Sequence, residues 1–194
     1  MGSFKCSKLT SASTCKQTKS AQNFKDHTPG HKRMNIVENI LGEICKIVLP
    51  INEEIFLGNQ KSSIAICTLS SMKLLNEISN SSLMSEIALV GRLLSENKGI
   101  DSLIRYVISR KNIKTILICG KDTTGHRSGH SLLKLYENGI DYNGKIIDSF
   151  SPGPVLTITK SEIKIFQKKI TIINEIGKTD ILEIKHLVNS LLKT

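Results

Sequence analysis

At 194 residues, with ordinary apolar content and no Trp, the chain is long enough to bury one hydrophobic core, and it holds no apolar run of membrane-spanning length. Its net charge of +10 is unevenly placed: residues 1–33 carry seven lysines and arginines against Asp26 alone, a surplus of six that leaves only four for the remainder. No nucleic-acid-binding domain is therefore expected, and a basic arm within residues 1–33 is the lesser reading. Five cysteines without a C-x-x-C pair, and no apolar signal core, point to reduced thiols in the cytoplasm rather than a secreted disulfide framework.

Residues 1–33 are rich in Ser, Thr, Lys and Gln and lack apolar periodicity, so they are expected to be disordered, as a leader or an upstream extension. The domain is expected over 34–194. Its first stripe, Ile36, Val37, Ile40, Leu41, Ile44 and Cys45, predicts a helix closed before Pro50. Residues 55–57 and 64–69 predict two short strands, the second ending in a Thr68 set to face a ligand. A short helix follows over 72–78, then an apolar run over 87–91. Ile100, Leu103, Ile104, Val107 and Ile108 mark an amphipathic helix leading into a strand at 114–120, buried on both faces.

After Gly120 comes a loop with Gly125 and Gly129 that holds His126. Beyond it Leu132, Leu133 and Tyr136 predict a helix stopping at Asn138-Gly139. Residues 141–144 predict a turn, 145–148 a strand, and Ser151-Pro152-Gly153-Pro154 a rigid loop. Thr159 and Glu162 have capping-box spacing for a helix with Ile163, Phe166 and Ile170 inward. A strand at 171–173 and a last helix from Asp180 complete the pattern. Strands alternating with helices predict an α/β fold, a mostly parallel sheet with helices on both faces. In such a sheet the 120–130 loop lies at the carboxyl end of a strand, where these folds bind ligands.

Three chemistries suit that loop. Gly120-Lys-Asp-Thr-Thr-Gly125-His126-Arg127 has Walker A spacing in a strand–loop–helix context. However, His126 stands where the phosphate lysine belongs and Arg127 where the magnesium-binding hydroxyl is needed, so only phosphate affinity at the helix N-terminus survives. A zinc site would use His126, His130 and Cys119, although Cys119 ends a buried strand. The third is one axial bond from a neutral imidazole to a corrinoid cobalt. Gly125 and Gly129 provide room for it, and Asp122 is the partner expected to fix the tautomer. The His126-x-x-Gly129 piece is similar to the D-x-H-x-x-G element of other cobalamin proteins, with the acid four positions before the histidine rather than two.

Cys119-Gly120-x-Asp122-x-x-Gly125-His126-x-Ser128-Gly129, continued by Leu132-x-x-Leu135-x-Glu137-Asn138-Gly139-Ile140-Asp141 and Ile146-Ile147, closely resembles the A subunit of tetrahydromethanopterin S-methyltransferase. Cys67-Thr68-Leu69, Gly91, Ser95-Glu96-Asn97-x-Gly99-Ile100 and Phe166-Gln167 extend the resemblance over 55–192. It implies a Rossmann-like domain carrying a cobalamin or cobamide, with His126 as lower axial ligand and sole metal-binding side chain. It also implies cofactor-binding roles for Gly120, Asp122, Gly125, Ser128, Gly129, Thr68, Leu69, Gly91, Glu96, Asn97 and Pro154.

The implied activity is archaeal and methanogenic. A methyl group is carried from methyl-tetrahydromethanopterin toward coenzyme M or another thiol, with other methyltransferase subunits or methyl donor and acceptor proteins as partners and no autonomous substrate chemistry. The chain departs from the family at His130, where the family has Gln, and over 148–158, where essentially only Pro154 is kept. The 148–158 departure is expected to alter the pocket wall or the partner surface. The chain ends at Thr194 without the family's C-terminal membrane helix, so a soluble homologue without membrane insertion, or a truncated one, is expected. The alternative is a paralogous binding or regulatory module that holds a phosphate-bearing ligand at the 120–130 loop.

Overall fold

Two apolar runs, Ile64–Cys67 and Thr115–Gly120, form the centre of the sheet, because side chains on both of their faces must be buried. The computed structural model describes residues 54–193; the helix expected over 36–45, the 1–33 extension and the boundary at 34 lie outside the described residues. In chain order the elements are β1 (Ile55–Leu57), β2 (Ile64–Cys67), α1 (Met72–Ser79), β3 (Leu89–Gly91), α2 (Lys98–Ser109), β4 (Thr115–Gly120), α3 (Ser128–Asn138), α4 (Lys160–Lys169), β5 (Thr171–Ile176) and α5 (Ile181–Leu191), with a 3₁₀ turn at Ser82–Ser85.

The sheet order is β1-β3-β2-β4-β5. β3, β2, β4 and β5 are mutually parallel, and only the edge strand β1 runs antiparallel, against β3. Alternate strand residues feed two cores. Ala65, Cys67, Ile116 and Ile118 pack beneath Ile104 of α2, Leu132 of α3 and Phe166 of α4. Ile64, Ile66, Leu117 and Cys119 pack against Leu75 of α1 and Val188 of α5 on the other side. The expected α/β class, with helices on both faces, is the observed one.

From β2 the chain steps to β3 on one side and then returns past β2 to β4 on the other. Strand order therefore reverses between β2 and β4, and the crevice at their carboxyl ends is the switch point where doubly wound sheets bind ligands. The segments that follow β2, β3 and β4 meet there.

Local signals placed the helix ends well. Thr159 and Glu162 form a reciprocal capping box, the Asp180 side chain accepts from Leu182 and Glu183 backbone N–H, and Gly139 closes α3 at φ 74°. Two expectations are corrected. Residues 145–148 are no sheet strand; they make only the isolated bridges Ile140–Ile146 and Lys145–Val155. β5 extends to Ile176, paired residue for residue with β4. Its polar Asn174 and Glu175 hid it because an edge strand needs only one buried face.

Candidate functional site

The loop from Lys121 to Arg127 joins β4 to α3, and its shape is set by hydrogen bonds from its own residues. Gly120 turns at φ +79°, and a Cβ there would lie 2.4 Å from the Thr68 carbonyl oxygen, so only glycine lets the β2 and β4 ends approach. Asp122 then reaches forward. Its Oδ1 accepts the N–H groups of Thr123 and Gly129, each at 2.8 Å, and its Oδ2 that of His130 at 3.0 Å. Thr123 Oγ1 accepts Ser128 N–H at 2.9 Å, and Ser128 Oγ donates to the Leu93 carbonyl at 2.7 Å. The start of α3 is thereby tied to the segment after β3.

Asp122 is thus not the partner of His126, as its nearness in sequence suggested. Three backbone donors of its own loop and helix hold it in place as a charge-assisted cap. The partner is Glu96, on the segment that follows β3. His126 Nδ1 lies 2.8 Å from Glu96 Oε2, with the imidazole side chain 56% exposed and the carboxylate side chain 3%. The other oxygen, Oε1, accepts Gly153 N–H at 3.1 Å. Asn97 caps Lys98 N–H at 2.6 Å and donates to the Gly153 carbonyl at 3.4 Å. An ionised carboxylate only accepts, so Nδ1 carries a proton, and in the neutral imidazole the lone pair is then on Nε2.

The other candidate residues divide into scaffold and rim. Thr68 is fully buried and its hydroxyl donates to the Gly91 carbonyl at 3.4 Å, so it presents no side chain to a ligand, contrary to expectation. Leu69 turns at φ 51° beneath Gly129. Gly129 packs inward, where a Cβ would meet Leu69 Cδ1 at 2.8 Å; it provides close helix–sheet approach rather than room. Gly125, at φ +82°, has nothing within 4 Å of a Cβ position and does open space beside His126. Pro154 is buried, and its carbonyl accepts Ile146 N–H. Gly91 instead lines an apolar cavity of about 160 Å³ beneath α2, bounded by Ala65, Leu89, Val107 and Arg92 and sharing no residue with the loop.

The competing chemistries meet obstacles in this geometry. Cys119 is fully buried, burial pushes its thiol pKa up with Cys67 and Glu175 adding, and it lies in the α1–α5 core. Among the described residues no group of three metal-ligating side chains comes together, so the zinc set His126, His130 and Cys119 is not assembled. For phosphate, the α3 N–H groups of Gly129 and His130 are already bound by the Asp122 carboxylate.

Sequence reasoning missed the serine cluster that holds the opposite wall. Ser131 Oγ shares a 2.8 Å hydrogen bond with Ser149 Oγ and also pairs with Ser151 Oγ. Ser151 Oγ also donates to the Arg127 carbonyl at 3.4 Å. The alternation Ser149-Phe150-Ser151 is a signal only once α3 is known to lie opposite it.

These features define a doubly wound α/β domain whose switch point presents one imidazole, held from behind by a buried carboxylate. The chain belongs to the MtrA family, the A subunits of tetrahydromethanopterin S-methyltransferase, whose family model matches residues 48–194. It is 39% identical over 133 residues to the A subunit of the putative methyltransferase Mtx of Methanosarcina barkeri, covering 68% of this chain and 64% of that one. It is 35% identical over 140 residues to the protein of the same name from Methanosarcina acetivorans, covering 72% and 67%. With the A subunit of tetrahydromethanopterin S-methyltransferase from Methanosphaera stadtmanae it shares 32% identity over 136 residues, covering 69% and 52%. The chain thus matches about half to two thirds of the length of these relatives, which are methyltransferase subunits. Among the described residues no helix is long and apolar enough to cross a membrane.

Proposed function

We propose that this domain is the corrinoid-carrying subunit of a methyltransferase, with Nε2 of His126 as the nitrogen that would hold its cobalt. The observation that carries the reading is the pair His126 Nδ1–Glu96 Oε2 at 2.8 Å. A metal-binding imidazole needs its second nitrogen held by a hydrogen-bond acceptor, and a buried carboxylate behind an exposed ring supplies one. The residues fit the group: one imidazole at the loop tip, backed by a carboxylate, with open space at Gly125. When bound, the corrinoid supplies a cobalt centre that takes up and gives up a methyl group.

The chain's own part is to bind and orient. Glu96 fixes the tautomer, Asp122 holds α3 and the loop in register, and the Thr123–Ser128–Leu93 bonds set the loop's distance from the β3 end. The methyl donor and acceptor are brought by other methyltransferase subunits or partner proteins. The family's description supports a methylated pterin as donor, and a thiol such as coenzyme M is the acceptor of this reading.

Titration of the full chain with hydroxocobalamin, followed by visible spectroscopy and by electron paramagnetic resonance of the cobalt(II) state, tests this. The expected result is a spectral shift and nitrogen splitting that His126→Ala abolishes and His130→Ala leaves in place. Retention of both signals in His126→Ala with their loss in His130→Ala would reassign the ligand. Absence of corrinoid binding by the native chain would overturn the reading.

A further inference from the structure

Phe150 is 73% exposed, yet it does not sit on a loose loop. Asn138 Nδ2 donates to Asp148 Oδ2 at 2.9 Å, Ser149 and Ser151 both bond to Ser131, and Gly153 N–H is held by Glu96. The segment is pinned on both sides of the ring. One of those pins is the same carboxylate that holds His126, so imidazole and phenyl share an anchor. The phenyl stacks on His130 in the first turn of α3, with centroids 5.2 Å apart and planes 9° from parallel. The His130 Nε2 atom is buried without a hydrogen-bond partner. The two departures from the family's pattern noted in the sequence, His130 and the 148–158 segment, therefore contact each other.

The outer face of a ring held this firmly is apolar surface that a ligand can cover, and covering it is favourable without a further ordering cost for the side chain. We infer that Phe150, backed by His130, is a contact wall for the flat, largely apolar body of the ligand that His126 holds. It is a specificity-determining residue rather than a part of the ligation. This inference rests on the corrinoid reading above. Phe150 contributes covered area and no bond to the metal, so its loss lowers affinity while imidazole ligation persists. His130 keeps the phenyl plane in place and acts through it.

The test compares the native full chain with Phe150→Ala, Phe150→Tyr and His130→Ala in hydroxocobalamin titrations, with cobalt(II) nitrogen splitting recorded for each. Hydroxyl-radical footprinting of position 150 in the native chain, with and without hydroxocobalamin, reads coverage directly. Phe150→Ala is expected to bind about tenfold more weakly with nitrogen splitting intact. Phe150→Tyr should match the native chain, His130→Ala should fall between them, and Phe150 should be protected on binding. Native binding with nitrogen splitting, an unprotected Phe150 and equal or tighter affinity in Phe150→Ala would overturn this inference alone. Failure of the native chain to bind would overturn the corrinoid reading and this inference with it. Phe150 is exposed, so its substitution is not expected to impair folding, and thermal melts of the variants verify that.

Discussion

His126 Nδ1 and Glu96 Oε2 are 2.8 Å apart although 30 residues separate them, and the pair couples the end of β3 to the loop after β4. The acid is almost wholly buried and the ring is not, so the carboxylate acts as a fixed support for a nitrogen that faces outward. Removing it frees the tautomer. Glu96→Ala is expected to weaken corrinoid affinity by about 10- to 100-fold, and Glu96→Gln by less, since an amide oxygen still accepts the Nδ1 proton. Spectroscopic titration measures both. An unchanged affinity in Glu96→Ala would show that the tautomer is fixed elsewhere.

Asp122 organises the loop without touching the imidazole. Asp122→Ala leaves the N–H groups of Thr123, Gly129 and His130 without their acceptor and should lower stability by about 1–2 kcal/mol. Urea denaturation gives the value. The same substitution exposes the α3 N-terminus, so inorganic phosphate should stabilise Asp122→Ala more than the native chain. Equal stabilisation of both proteins by phosphate would revive the phosphate-binding reading.

Two glycines of the loop should respond differently to alanine. Gly125→Ala meets no neighbour but adopts φ +82°, a left-handed cost of about 1–2 kcal/mol. Gly120→Ala has φ +79° and also drives a Cβ to 2.4 Å from the Thr68 carbonyl oxygen, so the β2 and β4 ends must separate. Thermal melts should rank Gly120→Ala clearly below Gly125→Ala. The reverse order would mean that the strand ends are not in contact in solution.

The capping box of α4 makes a pH-dependent contribution. Thr159 backbone N–H and then its hydroxyl, with Arg105 adding, hold the Glu162 carboxyl below the usual carboxylate range. A depressed folded-state value means the stabilisation is present above the unfolded carboxylate's range and is lost as pH falls through the folded one. Denaturation midpoints measured from about pH 7 to about pH 3 should therefore decline less steeply in Glu162→Gln than in the native chain. The effect is small because the group remains partly in contact with solvent. Identical slopes would remove Glu162 from the acid response.

What could be read along the chain were features whose causes are local. The Thr159–Glu162 box, the Gly139 stop and the apolar run of β4 rest on interactions within a few residues, and helical and strand periodicities report them directly. The loop at 120–130 and its histidine were legible for the same reason, and so was its position at a strand's carboxyl end. The tertiary structure alone decided what each polar side chain faces. Asp122, the nearest acid in sequence, is taken by the backbone of its own loop and helix. Glu96 reaches His126 because strand order reverses around β2, bringing the segments after β3 and β4 to one crevice. The pinning of Phe150 against His130 likewise depends on the 148–154 segment lying across the start of α3. Strand order and loop crossing are set by which faces bury together over the whole domain, and no window of neighbouring residues contains that information.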